Sequence, residues 1–78
     1  MSLNVNLDRL IRAGNEPLWQ VAVDTGIHPS ALSQYRHGHR RIGQAHADVL
    51  AIYFDVTVEQ IRDEEPIPYS RAVGVVEL

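Results

Sequence analysis

The chain has 78 residues, a formal net charge of −3 at pH 7 and no cysteine. This length predicts one small domain, and a sequence without cysteine excludes a disulfide framework and thiolate metal sites. No apolar run reaches the roughly 20 residues of a membrane span, and no basic region followed by an apolar run opens the chain, so we expect no signal peptide, no membrane partner and a cytoplasmic location.

Positive charge is concentrated in the middle of the chain. Three arginines and no acid lie between His28 and Arg41, so this stretch carries a charge of +3. Because the net charge of the chain is −3, the other residues together carry −6. A basic patch on an acidic body suits a nucleic-acid face, because phosphate repels the opposite side. All seven basic residues are arginine. Two explanations of the preference for arginine over lysine are equally good. Arginine can make bidentate contacts to phosphate or guanine, and a GC-rich genome also favours arginine.

Residues 1–14 predict a first helix, because their apolar side chains recur at helical spacing. The predicted N-cap is Asn4 or Asn6, and Gly14 is the predicted stop. The apolar positions are Leu3, Leu7, Leu10 and Ile11. The face expected to be solvated carries Asp8, Arg9 and Arg12.

A second helix is predicted to start at residues 15–17, where Asn15 is the capping residue, Glu16 an acid in the first turn and Pro17 an early proline. Its inward stripe is Leu18, Val21, Ala22 and Thr25. Trp19 lies off this stripe. We expect its indole to pack in the core or at its edge, against the fourth helix, unless it serves a contact surface.

Gly26 separates this helix from a third. Because Gly26 tolerates positive φ and Pro29 cannot lie inside a continuous helix, the chain must break between Thr25 and Pro29. His28 is the predicted N-cap, and Gly38 the predicted stop. The inward residues are Ala31, Leu32 and Tyr35. The outer face is polar, short and nearly uncharged, which suits a helix that enters a DNA major groove after a tight turn.

A glycine-bounded basic loop, residues 38–43, follows the third helix. Its Arg40 and Arg41 are candidates for phosphate binding, and the alternative is that they are solvated loop charges. The next helix is predicted over residues 44–54, with Thr57 capping a short fifth helix through Ile61. A solvated acidic run follows at Asp63, Glu64 and Glu65.

Pro66 and Pro68 end helical structure and mark a boundary. We therefore divide the chain into a domain at residues 1–65 and a C-terminal tail at residues 66–78. The tail has β-branched content and loose alternation. It forms either a flexible tail or a β-strand that pairs with a second subunit. The residues predicted for such dimerisation are Tyr69, Val73 and Val75.

The stretch VAVDTGIHPSALSQYRHG, residues 21–38, resembles the helix-turn-helix of phage repressor and Cro-like regulators. The family's small residue, turn glycine, apolar plug, core aliphatic and closing glycine match Ala22, Gly26, Ile27, Leu32 and Gly38. Residues 50–61 resemble the family's fourth helix, short turn and fifth helix. The resemblance implies an all-α, five-helix domain that binds double-stranded DNA, forms a homodimer and regulates transcription in a bacterium or phage-infected host. It implies no cofactor and no small-molecule ligand.

In that family the second helix of the motif reads base edges, and the matching segment is residues 28–37. The base contacts that the resemblance implies are Pro29, Ser30, Ser33, Gln34 and His37. The predicted phosphate contacts are Gln20, Arg36, Arg40 and Arg41. The resemblance also offers a second interpretation of Trp19, as an indole beside the DNA backbone or in a dimer seam.

One position departs from the family pattern. The family often has Glu near the end of the recognition helix, paired with a basic residue of the first helix. This chain has Arg36 there, and the matching position of the first helix is near Ile11. The family's internal ion pair is therefore not expected, and Arg36 is left for a phosphate or for an acid elsewhere.

Two other classes of function fit parts of the sequence. A protein-interaction module of the same fold would use the acidic body, Trp19 and the apolar tail, and would have little affinity for DNA. A metalloprotein or enzyme would use His37, His39 and His46. Zinc needs three or four converging ligands, and we find no pattern of a nucleophile and base or of a phosphate cradle, so neither a metal nor an enzyme activity is expected.

Overall fold

The computed structural model describes residues 2–68, and this part of the chain is all-α. Its helices are α1 (Val5–Ala13), α2 (Leu18–Thr25), α3 (Pro29–Arg36), α4 (Gln44–Phe54) and α5 (Val58–Ile61). The predicted class and the five predicted helices are confirmed for these residues. None of the helices in residues 2–68 combines the length and apolarity needed to cross a membrane. The predicted dimerisation residues Tyr69, Val73 and Val75 lie outside the described residues.

Two asparagines attach α1 to α5. Asn4 is the N-cap of α1, since its Oδ1 accepts a hydrogen bond from the Leu7 N–H at 3.0 Å. The Asn4 Nδ2 also donates to the Ile61 carbonyl at 2.8 Å. Asn6 is not the cap; its Nδ2 donates to one carbonyl in α5 and one beyond it, at 2.9 and 2.7 Å. Both asparagines are buried, so their hydrogen bonds join distant parts of the chain inside the fold.

The start of α2 differs from the prediction. The helix begins at Leu18, and its N-cap is Pro17, which makes no side-chain capping bond. Asn15, the predicted cap, has φ of 59° and belongs to the turn after α1. Asparagine tolerates this left-handed conformation better than most residues. The turn therefore uses Asn15 for its backbone conformation and not for its side-chain acceptor.

The turn between α2 and α3 follows the prediction. Gly26 ends α2 in the left-handed conformation at φ of 75°. Ile27 is then buried in the core. His28 caps α3, because its Nδ1 accepts from the Ser30 N–H at 3.1 Å, and Pro29 occupies the first turn. The glycine turn, the buried Ile27 and the His28 cap together fix where α3 begins and hold its start against the core.

The last two helices are also close to the prediction. α4 covers the predicted residues, and its C-cap is Asp55, whose φ is 58°. Thr57 caps α5 through a capping box with Gln60, in which the Gln60 N–H donates to Thr57 Oγ1 at 3.1 Å and the Thr57 N–H donates to Gln60 Oε1 at 3.0 Å. Two hydrogen bonds thus fix a helix of only four residues.

All five helices contribute side chains to one buried apolar cluster. The fully buried side chains include Leu7, Leu32, Leu50 and Ile61. The predicted inward face of α3 is confirmed, because Ala31, Leu32 and Tyr35 are buried. Leu3 was predicted as part of the apolar stripe of α1 and is instead 43% exposed, because it precedes the helix.

We expect Gly38→Ala to lower the free energy of unfolding by at least about 1–2 kcal/mol, because an L-residue pays this cost for a left-handed conformation and the Ser2 backbone must also shift. Gly38 has φ of 75°, and an added Cβ would overlap the backbone carbonyl of Ser2. Gly14→Ala is the matched control, since Gly14 is helical and an added Cβ meets only ordinary contacts. Urea unfolding followed by circular dichroism measures both. Equal midpoints for the two variants would contradict the expectation.

Candidate nucleic-acid interface

The outer face of α3 brings the five predicted base-contacting residues together. Pro29, Ser30, Gln34 and His37 are exposed and Ser33 is partly exposed. They follow the helix at spacings of three and four residues, which share one face. The opposite face of α3 is anchored in the core by Leu32 and Tyr35. The structure therefore presents the predicted residues as one polar surface with a buried support.

Hydrogen bonds within this face distinguish its members. The Ser30 hydroxyl lies 2.9 Å from His28 Nδ1, and His37 Nδ1 lies 2.8 Å from the Ser33 carbonyl. The Gln34 side chain bonds to no group in residues 2–68. The amide donor and acceptor of Gln34 are therefore exposed and unbonded within residues 2–68, whereas His28 and His37 bond to groups at the two ends of the helix.

Arg36 has an internal partner. Its Nε donates to Asp8 Oδ1 at 2.7 Å, and the two side chains are 25% and 13% exposed. Asp8 was predicted to be solvated, and this prediction is wrong because α3 covers it. The ion pair joins α3 to α1, with its acid on α1 and its base on α3. Of the two roles that the sequence left open for Arg36, the structure places it with an acid.

The second basic partner of Asp8 is more exposed. Arg12 Nη1 lies 3.8 Å from Asp8 Oδ2, and the Arg12 side chain is 71% exposed. An exposed pair of this kind contributes about 0–1 kcal/mol. Arg36 is therefore the main partner of the Asp8 carboxylate.

Arg40 and Arg41 lie beyond the end of α3, and both are exposed. The Arg40 guanidinium carbon lies 5.5 Å from the centroid of the Tyr35 ring. Arg41 Nη1 lies 3.6 Å from Glu64 Oε2, and this pair is solvent-exposed. Neither arginine is paired with a buried acid, and both side chains are exposed, so both remain accessible to an anion next to the polar face of α3.

Gln20 has less favourable surroundings for a phosphate. Its Nε2 donates to Asp24 Oδ1 at 2.9 Å. The Tyr53 hydroxyl lies 2.9 Å from both Glu16 Oε1 and Asp24 Oδ2. Burial raises the pKa of the Tyr53 hydroxyl, and hydrogen bonds to these two carboxylates raise the pKa further. The Gln20 amide is therefore bonded to an acid, Asp24, which also contacts the Tyr53 hydroxyl.

No family model, curated protein or solved structure matches this chain.

The histidines of the alternative metal site have other contacts. The rings of His37 and His39 stack with centroids 6.1 Å apart. His46 Nδ1 lies 2.6 Å from the Tyr35 hydroxyl. Within residues 2–68, no group of three His, Asp or Glu side chains is placed to hold a metal ion.

Trp19 is 61% exposed, so the prediction that it packs in the core is wrong. It lies on the outer side of α2 with Val23, which is 68% exposed. The two residues line a shallow apolar groove of about 430 Å³ that continues to Pro29. The position of Trp19 off the inward stripe was the sequence signal for this exposure, and Val23 was missed.

Proposed function

We propose that this protein is a sequence-specific, double-stranded DNA-binding transcriptional regulator with the helix-turn-helix fold of phage repressor and Cro-like proteins. The observation that carries the proposal is the outer face of α3. Its side chains are short, polar and nearly uncharged, and the helix is fixed in the core by its opposite face. A solvated helix surface needs no such composition, whereas a helix that approaches base edges closely does.

Each residue of this face has a role in the proposed readout. Gln34 makes a bidentate contact to adenine, and the Ser30 and Ser33 hydroxyls bond to base edges of either kind. Pro29 offers an apolar contact to a thymine methyl group. His37, at the end of the helix, reaches a base or a phosphate. Arg40 and Arg41 fix the register on the backbone, because phosphate contacts position a protein and base contacts specify the sequence.

We further propose that the protein binds as a homodimer on a pseudo-palindromic operator. Two copies of α3 would then lie about 34 Å apart, one turn of DNA. A small domain also gains stability from association, because it buries a smaller fraction of its surface than a large one. Occupation of a promoter by the dimer would block transcription.

Selection of random duplex DNA on the purified protein at about 150 mM salt tests the proposal, because this ionic strength suppresses nonspecific contacts. We expect an enriched motif with two-fold symmetry, whose half-site spacing gives the dimer geometry. An enriched motif without symmetry would support sequence-specific binding and contradict the dimer. Recovery of unenriched sequences would contradict the proposed function.

We expect Gln34→Ala and Arg41→Ala to weaken DNA binding in different ways. Gln34→Ala, or Ser33→Ala, should reduce discrimination at particular base pairs by about 1–3 kcal/mol and leave binding to random DNA unchanged. Arg41→Ala should weaken binding to all sequences. It should also make the slope of log K against log salt shallower by about one. Fluorescence anisotropy on the selected operator and on random duplex measures both. Identical behaviour of the two classes of variant would show that α3 is not the reading helix.

The exposed apolar groove on α2 favours a second candidate function. Trp19 and Val23 would form the contact surface of a protein-interaction module of the same fold. This function predicts weak DNA binding without sequence preference. The selection experiment therefore distinguishes the two candidates, and Trp19→Ala should leave the selected motif unchanged if α3 carries the function.

A further inference from the structure

A small depression lies on the side of the domain where the basic loop meets the end of α5. Its volume is about 230 Å³, below the roughly 300–1,000 Å³ of pockets for drug-sized ligands. Three arginines, Arg40, Arg41 and Arg62, and one acid, Asp63, are among the residues that line it. A cavity of this size with three arginines and one acid in its lining suits a small anion.

Arg62 differs from the other two arginines because the fold orients it. Its Nε–H group donates to the Ile42 carbonyl at 3.1 Å. Its Nη–H groups, the remaining donors of the guanidinium fork, bond to no group in residues 2–68. The side chain is partly buried at the end of α5. Arg62 therefore offers donors whose orientation is fixed before a ligand arrives, which lowers the entropy cost of binding.

The acids near this depression do not cancel its positive charge. The Asp63 carboxylate faces the backbone N–H groups of Val5 and Asn6, at 3.3 and 3.4 Å, so the start of α1 offsets its charge. Glu64 is paired with Arg41 at 3.6 Å in an exposed contact. Such an exposed pair is weak, so a phosphate can displace Glu64 from Arg41.

We propose that the depression lined by Arg40, Arg41 and Arg62 binds a phosphate group. Arg62 holds the anion with its fixed Nη–H donors, and the two loop arginines close around it. The phosphate comes either from the DNA backbone or from a free phosphate ion. The DNA source rests on the proposed function, whereas the free ion does not. On DNA, this site would place the strand on the α5 side of α3 and add one phosphate contact to the loop arginines.

The first experiment titrates the isolated protein with inorganic phosphate, using sodium chloride of equal ionic strength as the reference, and follows amide signals by NMR. We expect saturable shifts at Gly38 and Ile42, which line the depression. Arg62→Gln should weaken this binding about tenfold or more, because a charge-assisted hydrogen bond is lost. Arg12→Gln is the matched control, since it removes the same charge from the exposed side of α1. If Arg62→Gln fails to fold, Arg40→Gln replaces it.

The second experiment measures the salt dependence of DNA binding for the same variants. Arg62→Gln should make the slope of log K against log salt shallower by about one, and Arg12→Gln should leave it unchanged. Phosphate binding without DNA binding would support the site with a free ion as its ligand and contradict the proposed function. DNA binding with an unchanged slope in Arg62→Gln and no localised phosphate shifts would overturn the site and leave the proposed function standing.

Discussion

Asn4→Ala is expected to lower the free energy of unfolding by about 2–4 kcal/mol. The substitution removes the N-cap of α1, which costs about 1 kcal/mol. It also leaves the Ile61 carbonyl without its side-chain donor in a buried contact, which costs about 1–3 kcal/mol. Ile61 itself is fully buried, so water cannot readily replace the asparagine. Chemical denaturation in urea, with the slope compared between variants, measures the loss.

Two control variants separate the components of this loss. Thr57→Ala removes only a cap, since Thr57 is exposed and bonds to the backbone of its own helix, and should cost about 1 kcal/mol. Asn4→Ser retains a capping oxygen but cannot reach α5, so its cost should lie between the other two. If Asn4→Ala were no more costly than Thr57→Ala, the bond to Ile61 would contribute nothing to stability.

Asp8→Ala should lower the free energy of unfolding by about 3 kcal/mol, at the lower end of the range for breaking a buried ion pair. The lower end applies because Arg36 keeps part of its solvent contact. Arg36→Met should cost a similar amount, because the buried Asp8 carboxylate then loses its main partner. The double variant should cost clearly less than the sum of the two, because neither charge is left unpaired. Arg12→Met, which removes only the exposed partner, should cost at most about 1 kcal/mol.

The same variants test whether Arg36 contacts DNA phosphate. If Arg36 serves only to pair with Asp8, Arg36→Met should leave the slope of log K against log salt for DNA binding unchanged. Arg41→Ala should make the same slope shallower by about one. These measurements belong at a temperature where all variants are folded. A shallower slope for Arg36→Met would instead return Arg36 to the phosphate contacts, and an additive double variant would contradict the coupling with Asp8.

The sequence alone was enough to place most helix boundaries. The caps at His28 and Thr57 and the left-handed turn at Gly26 were confirmed, and the cap of α1 is Asn4, one of the two candidates. These features depend on groups within about four residues of each other, so local chemistry decides them. The same holds for the inward and outward faces of α3, which follow from helical periodicity. The surface proposed to read bases was thus evident before any packing was known.

Only the tertiary structure decided which polar residues are buried and which apolar residues are exposed. Asp8 meets Arg36 across 28 positions of sequence, and Asn6 bonds to carbonyls 54 and 59 positions away. Arg62 gains its fixed orientation from Ile42, and Trp19 stays on the surface. Such contacts depend on how whole helices pack, and a charged or polar side chain carries no local signal for a partner so far along the chain. The polar face of α3 is therefore a property of the sequence, whereas its attachment to α1 and the arginine-lined depression beside it are properties of the assembled fold.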